Sequence, residues 1–535
     1  MNTPAATDSG HWIPDQGNGT YINPIIYADY SDPDVIRVGE DFFMTASSFT
    51  HIPGLPILHS RDLVNWRIVN HALPRLELPG YDKVQHGKGV WAPSLRYHEG
   101  QFWIFYATPD EGIFMTKTDD PFGAWEPPHL LKAAKGWIDP CPFWDEDGQA
   151  YLVHAYPHTR SALQHILNLC RMAHDGTTLL DAGTDIVDGT VKHPTLEGPK
   201  MYKRNGNYYI FAPAGGVPTG WQAVFRSKSI YGPYEDKIVL QQGETPVNGP
   251  HQGGWVELAS GESWFVHFQD KGAYGRITHL QPMEWRGDWP VMGRLAPDRE
   301  AGEPVERWKK PDTAAGEVCI PQTSDDFCGA ALGLQWQWQA NPASNWHRLL
   351  PGGGLRLNSA PLPGDCRTLY DTPQLLMQKL AAPVFTATVK ITPRFSSCAE
   401  RAGLVVLGHR AFCIALSLDP ARDLWLAQYE SSAADDPSRK DLDLGVKAAG
   451  ILIQAESLYL RASFEEANGC RFSFRREGSD CTELGSPFRL EEGQWVGAKV
   501  GLFALSLTPG EDQGIGGLRR FRFYKGNSNL GVWAR

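Results

Sequence analysis

From Ser31 to Gln269 the chain repeats one pattern of hydrophobic and polar positions: a short apolar strand, a polar turn holding glycine, then an aromatic-rich strand. Five segments carry it: "SDPDVIRVGEDFFMTA" from Ser31, "VWAPSLRYHEGQFWIFYA" from Val90, "IDPCPFWDEDGQAYLVHA" from Ile138, "KMYKRNGNYYIFA" from Lys200 and "QGGWVELASGESWFVHFQ" from Gln252. Asn205-Gly206 in the fourth is a strong local signal for a tight hairpin. The turn glycines, Gly39, Gly100, Gly148, Gly206 and Gly261, are 61, 48, 58 and 55 residues apart. A unit of that length holds two hairpin strands and has room for two more, as a four-stranded propeller blade requires. Five in succession predict a five-bladed β-propeller. Between hairpins, "HSRDLVNW" and "KTDDPFGAW" end a strand in a polar turn and a Trp, so Trp66 and Trp125 are expected to plug gaps between blades. No segment longer than a turn or two reads as helix.

The same alignment draws attention to acids. Asp32 lies seven residues ahead of Gly39, Asp139 nine ahead of Gly148 and Glu197 nine ahead of Gly206, while Ala92 and Gly253 hold that place in the second and fifth repeats. The first strand of a blade lines the central channel, so residues at the same end of these strands point at one spot. Singly, Asp32 before Pro33 and Asp139 before Pro140 read equally well as turn formers, and Glu197 as a solvated loop residue. In register, three like charges converge on one axis, which is costly unless their pKa values move apart for a purpose.

Composition shifts after residue 295. The proline- and charge-rich stretch at about 295–327 reads as a linker laid along the surface. Beyond it "GGLRLNS", "FTATVKITP", "AGLVVLG", "FCIALSLD" and "AKVGLFALS" alternate with period two, which predicts an antiparallel sandwich. The expected organisation is a propeller over 1–308 and a β-sandwich over 309–535. The sandwich is expected to wall the pocket mouth rather than to bind sugar separately.

A net charge of −11 argues against nucleic acid and anionic membrane surfaces as partners. The 19 Trp lean towards sugar binding, since flat rings stack on pyranose faces. Nine Cys without a CxxC give no zinc or redox signature. They read as mostly reduced thiols, although Cys470 and Cys481 are spaced so that a bridge between neighbouring strands stays open. The N-terminus lacks a signal-peptide pattern and no apolar run has membrane-spanning length, so a cytoplasmic location is expected, with a secreted mature form as the alternative.

Glycosidic hydrolysis needs two carboxyl groups in different protonation states, one donating to the leaving oxygen and one activating water or attacking the sugar. A third acid raises the donor's pKa and orients it. At this point "YSDPDVIRVG", "KGVWAPSLRYHEGQFWIFY", "WIDPCPFWDEDG", "LEGPKMYKRNGNYY" and "YGRITHLQPMEW" together resemble glycoside hydrolase family 43, in particular its two-domain β-xylosidases and α-L-arabinofuranosidases. The resemblance covers essentially the whole chain. It implies Asp32 as general base, Asp139 as pKa-modulating acid and Glu197 as general acid. It also implies inversion, with the Asp32 and Glu197 carboxyls about 6.5–9.5 Å apart to admit a water.

The resemblance further implies Trp91 as a wall of the terminal-sugar subsite, Arg276 as a reader of sugar hydroxyls, and Phe49 and His51 as flanks of the pocket. "DDFCGAALGLQWQWQANP" and "RRFRFYKG" resemble the concanavalin-A-like sandwich of this subgroup. His251 is where many relatives border a hydrated calcium ion on the axis; the chemistry itself is expected to need no cofactor. The implied activity is exo-acting release of terminal β-D-xylose, and of α-L-arabinofuranose with its similar hydroxyl arrangement, from xylo- or arabino-xylo-oligosaccharides. Alternatives are an arabinan- or galactan-active member, a retaining fructan hydrolase on a related propeller, and a non-catalytic carbohydrate-binding propeller.

Overall fold

The computed structural model describes residues 11–507 and 515–524, apart from 315, 364, 365, 367, 422, 433–443 and 445. The reading of the first ten residues as leaderless, and the end of "RRFRFYKG", therefore lie outside the described residues. Five four-stranded antiparallel sheets follow one another along the chain, each a meander in sequence order. Their first strands are Asp34–Val38, Trp91–His98, Ile138–Trp144, Lys200–Arg204 and His251–Glu257. These pack around a common channel.

Apolar clusters fill the wedges between sheets. Phe43, Leu95 and Phe102 join the first and second, Tyr209, Phe211 and Phe265 the fourth and fifth, and Val35, Trp264 and Val266 the fifth and first. Trp66 is 1% exposed in that last wedge, with its indole donating to the Leu63 carbonyl. Trp125 is only half-buried and packs at the edge of the first wedge. Thr20–Ile22 pairs with Arg307–Lys309, and Ile26 bridges Thr278, so chain ahead of the first sheet is bonded to the fifth sheet and to chain beyond it. That closes the ring.

The stretch read as a linker does lie along the first sheet. Lys310 Nζ donates to Asp15 Oδ2 (2.6 Å) and Asp62 Oδ2 (2.7 Å), and Gln322 exchanges hydrogen bonds with the Ile68 backbone. Two further sheets then stack into a sandwich. Lys499–Ser506, Glu400–Leu407, Arg410–Leu418 and Leu424–Ser432 are consecutive strands of one; Phe385–Arg394, Leu458–Glu465 and Gly469–Arg475 are consecutive strands of the other. Their alternating apolar residues, among them Leu404, Ile414, Val389 and Leu460, share one core.

Tyr27, Tyr274 and Ile277 of the propeller belong to the same cluster, so the two domains meet through packed apolar surface. Ile52 and Trp338 exchange backbone hydrogen bonds across the junction, and His86 stacks on Tyr370 at 3.6 Å. Cys470 and Cys481 are both free thiols, so they form no bridge. Among the described residues the one α-helix is a single turn, His158–Ser161, and no helix is long and apolar enough to cross a membrane.

Candidate active site

At or within two residues of the start of each first strand stands one residue in the left-handed region: Asp32 (φ 54°), Ala92 (φ 33°), Asp139 (φ 57°), Gly198 (φ 59°) and Gln252 (φ 32°). Bulges follow in the second, third and fifth sheets, where register shifts between Trp91 and Ser94, Ile138 and Cys141, and His251 and Gly253. A left-handed non-glycine residue costs about 1–2 kcal/mol. Repetition of that strain around one channel re-aims side chains towards a common point.

The equivalent positions differ by one residue from the alignment on turn glycines. Gly198, not Glu197, matches Asp139 in the fourth sheet, and Gln252, not Gly253, in the fifth. Hairpin turns of unequal length make the turn glycine an inexact ruler. Glu197 therefore lies just ahead of the strained position, on the loop, and its side chain is 25% exposed against 8% for Asp32. Gly198 is required there twice over. Its φ is left-handed, and a Cβ would stand 2.7 Å from the Gln252 side chain.

All three acids open onto one cavity of about 320 Å³, within the size range of small-ligand pockets. Asp32 Oδ2 accepts from the hydroxyls of Ser31 and Ser47, each at 2.6 Å, and Arg276 Nη1 donates to Oδ1 at 3.1 Å. Asp139 Oδ2 accepts the Gly198 N–H at 2.7 Å. Burial raises the Asp139 carboxyl well above the ordinary range, and the charges of Glu197 and Asp32 add to it; the Gly198 N–H and the Lys200 ammonium pull the other way.

Lys200 is fully buried. From the fourth sheet it crosses the channel to donate to the Pro93 carbonyl (2.8 Å) and Ser94 Oγ (2.7 Å) of the second, 3.7 Å from Asp34 Oδ2 of the first. Arg96 donates to the same Asp34 oxygen at 2.7 Å.

His251, the residue expected beside a hydrated calcium ion on the axis, opens the first strand of the fifth sheet. Its Nε2 pairs with Glu197 Oε1 at 3.0 Å, and its buried Nδ1, without a hydrogen-bond partner among the described residues, faces Gly220. Calcium takes six to eight oxygen ligands. His251 offers one unpartnered ring nitrogen, so a hydrated ion beside it would take its oxygen ligands from water. His51 is displaced. It is buried behind the pocket, with Nδ1 against the Ser48 carbonyl; burial, with Lys499 and Lys379 of the sandwich adding to it, pushes its pKa well down.

The remaining expected residues line the cavity: Trp91, Phe49 and Arg276. Trp91 meets Phe49 edge-on at 6.2 Å and Trp495 at 6.3 Å, with the Arg160 guanidinium 4.8 Å over its ring. Trp495 comes from the sandwich, and sequence reading did not single it out. Its only local signal is an indole in "EGQWVG", between glycines and ahead of a strand. Tyr156, His158 and Gln164 on the loop around the helical turn were also missed, having no repeat to mark them.

Asp29 ties the two contributions together. Its Oδ1 accepts the Arg276 N–H at 2.9 Å and its Oδ2 the Gly497 N–H at 3.0 Å, two residues from Trp495. A Cβ on Gly497 would stand 2.6 Å from Gly275 N, so only glycine permits that approach of the two backbones.

The description "Glycosyl hydrolases family 43" matches residues 21–290, and "Beta xylosidase C-terminal Concanavalin A-like domain" matches 324–514. A Xylanibacter ruminicola protein that carries a β-xylosidase name is 40% identical over 494 residues, 91% of this chain and 86% of its own. A Bacteroides ovatus protein named a non-reducing end α-L-arabinofuranosidase is 32% identical, covering 72% of this chain and 73% of its own. A crystal structure of a family 43 protein from Bacillus licheniformis superposes with a TM-score of 0.81 at 25% identity, covering 95% of this chain and all of that one. With the propeller, the sandwich and the three acids in one cavity, the chain belongs to glycosyl hydrolase family 43.

Proposed function

We propose that the protein is an exo-acting, inverting glycosidase that removes terminal β-D-xylose from xylo-oligosaccharides. Glu197 protonates the leaving oxygen as the bond to the anomeric carbon breaks. Asp32, held by two serine hydroxyls and Arg276, takes a proton from a water that attacks the opposite face of the sugar. Asp139, its carboxyl pushed well up mainly by its own burial, stands beside the donor and orients it through the Glu197–Gly198 backbone. With His251 donating from Nε2 to Glu197 Oε1, the other carboxyl oxygen is left to carry the acidic proton. Every proton in this scheme sits on a named side chain or on water.

The observation that carries the reading is the joint lining of one small cavity by Asp32, Asp139, Glu197, Trp91 and the sandwich's Trp495. A cavity walled by a second domain suits a chain end better than a chain interior. The test is ¹H NMR of the first product released from xylobiose, together with Asp32→Asn and Glu197→Gln. Release of α-xylose, with near-complete loss in both variants, is the expected result. β-Xylose as first product, or near-parental turnover in either variant, overturns the scheme. A second activity on α-L-arabinofuranosides is favoured by the Bacteroides ovatus relative's name and is read from a panel of nitrophenyl glycosides.

A further inference from the structure

The first strand of the second sheet carries Trp91 into the catalytic cavity at one end and ends at His98. Seven residue steps separate the two, about 23 Å of strand. At that far face His98 and Glu99 of the second sheet meet His174, which follows the third strand of the third sheet.

We propose that His98, Glu99 and His174 form a binding site for a divalent transition-metal ion of the zinc and nickel class, bridging the second and third blades. One donor atom from each residue lies within 4.8 Å of the other two. Both His98 Nε2 and His174 Nε2 are 3.9 Å from Glu99 Oε1, too far for a hydrogen bond. The three atoms thus converge without satisfying one another. Zinc bonds nitrogen and oxygen at about 2.0–2.2 Å, which sets tetrahedral donors roughly 3.3 Å apart. Small rotations of Glu99 and His174, both exposed side chains, close the difference.

His98 is the anchored member. Its Nε2 is buried and has no hydrogen-bond partner among the described residues, the condition of a donor that awaits a ligand. Its ring stacks on Trp144 at 4.4 Å and 12°, which sets its plane. Trp144 Nε1 in turn donates to the His174 carbonyl at 2.8 Å, and Trp103 Nε1 to the His98 carbonyl at 3.2 Å. Two indoles therefore hold both histidine backbones. Two imidazoles and one carboxylate select borderline ions over calcium or magnesium, and three protein ligands leave a position for water. Such an ion cross-links two blades and stabilises the folded chain by mass action.

The test uses the full chain, stripped with chelator and with the exposed thiols of Cys328 and Cys398 capped. Zinc chloride is titrated by calorimetry, and nickel chloride by quenching of tryptophan fluorescence through Trp144. One equivalent is expected to bind with micromolar affinity and to raise Tm. His174→Ala and Glu99→Gln, both at exposed positions, are expected to weaken binding at least tenfold and abolish the Tm rise, with xyloside turnover unchanged. Absence of saturable binding below about a millimolar, or parental affinity in both variants, overturns the site.

Discussion

The propeller brings three carboxyls to the cavity from beside the starts of three first strands, Asp32 and Asp139 in a recurring left-handed frame and Glu197 one residue ahead of it, whereas the sandwich contributes one indole from a single loop. The first kind of residue is placed by a repeated local device. The second is placed by one backbone contact between domains, Gly497 against Gly275, and one shared acceptor, Asp29. Under the proposed scheme, proton chemistry belongs to the ring and selection of a chain end to the junction. Disturbing each should give different kinetic signatures.

The largest effect is expected from the ring. Glu197→Gln should lower kcat/KM on xylobiose by about 10³-fold, since general acid catalysis contributes 10² to 10⁴. A dinitrophenyl xyloside, whose leaving group needs little protonation, should retain much of its rate. Equal loss on both substrates would remove Glu197 from the donor role. Asp139→Asn should cost about a hundredfold in kcat on the same scale. It should also stabilise the protein at neutral pH. A carboxyl whose pKa is raised on folding contributes its stability fully below its unfolded pKa and loses it as pH rises through the folded value. Asparagine has nothing to ionise, so the Tm gain should be largest at pH 7 and vanish near pH 4. A gain that stays constant with pH would contradict the burial argument.

Smaller effects are expected at the junction. Trp495→Ala should raise KM for short xylosides about tenfold, ~1.4 kcal/mol of lost contact, with kcat changing less. A fall in kcat alone would place Trp495 in the chemical step instead. Asp29→Asn is a subtler break. Both carboxylate oxygens accept N–H donors, so an amide must turn its NH₂ towards Arg276 or Gly497 and lose one bond, about 1–3 kcal/mol. Tm should fall and KM should rise several-fold in step, because the arginine and the indole lose register together. An unchanged KM would separate the two domains functionally.

Much of the catalytic end was legible in order along the chain. A hairpin's turn residues, its period-two pattern and the acid ahead of it lie within about twenty residues, so Asp32, Asp139 and Glu197 stood out by repetition. The exact register did not. Turns of unequal length shifted Glu197 one place ahead of its frame, which is why it sits on the loop and is more exposed than Asp32. His51 and His251 were placed by the family resemblance, but histidine takes its partner from whatever element packs against it. For His51 that is its own loop, through the Ser48 carbonyl, with Lys499 and Lys379 of the sandwich acting on its charge, and for His251 it is Glu197.

By itself the sequence determined the fold class, the five repeats, the succeeding sandwich and the identity of the acids, because those follow from local periodicity and turn chemistry. Tertiary structure alone decided that Lys200 would bridge the channel, that His251 would hold Glu197, and that Asp29 would lock Trp495 beside Arg276. These are contacts between residues as far apart in the chain as Asp29 and Gly497. Such pairs leave no periodic trace, since their energy comes from excluding water between surfaces that meet only once the chain is folded.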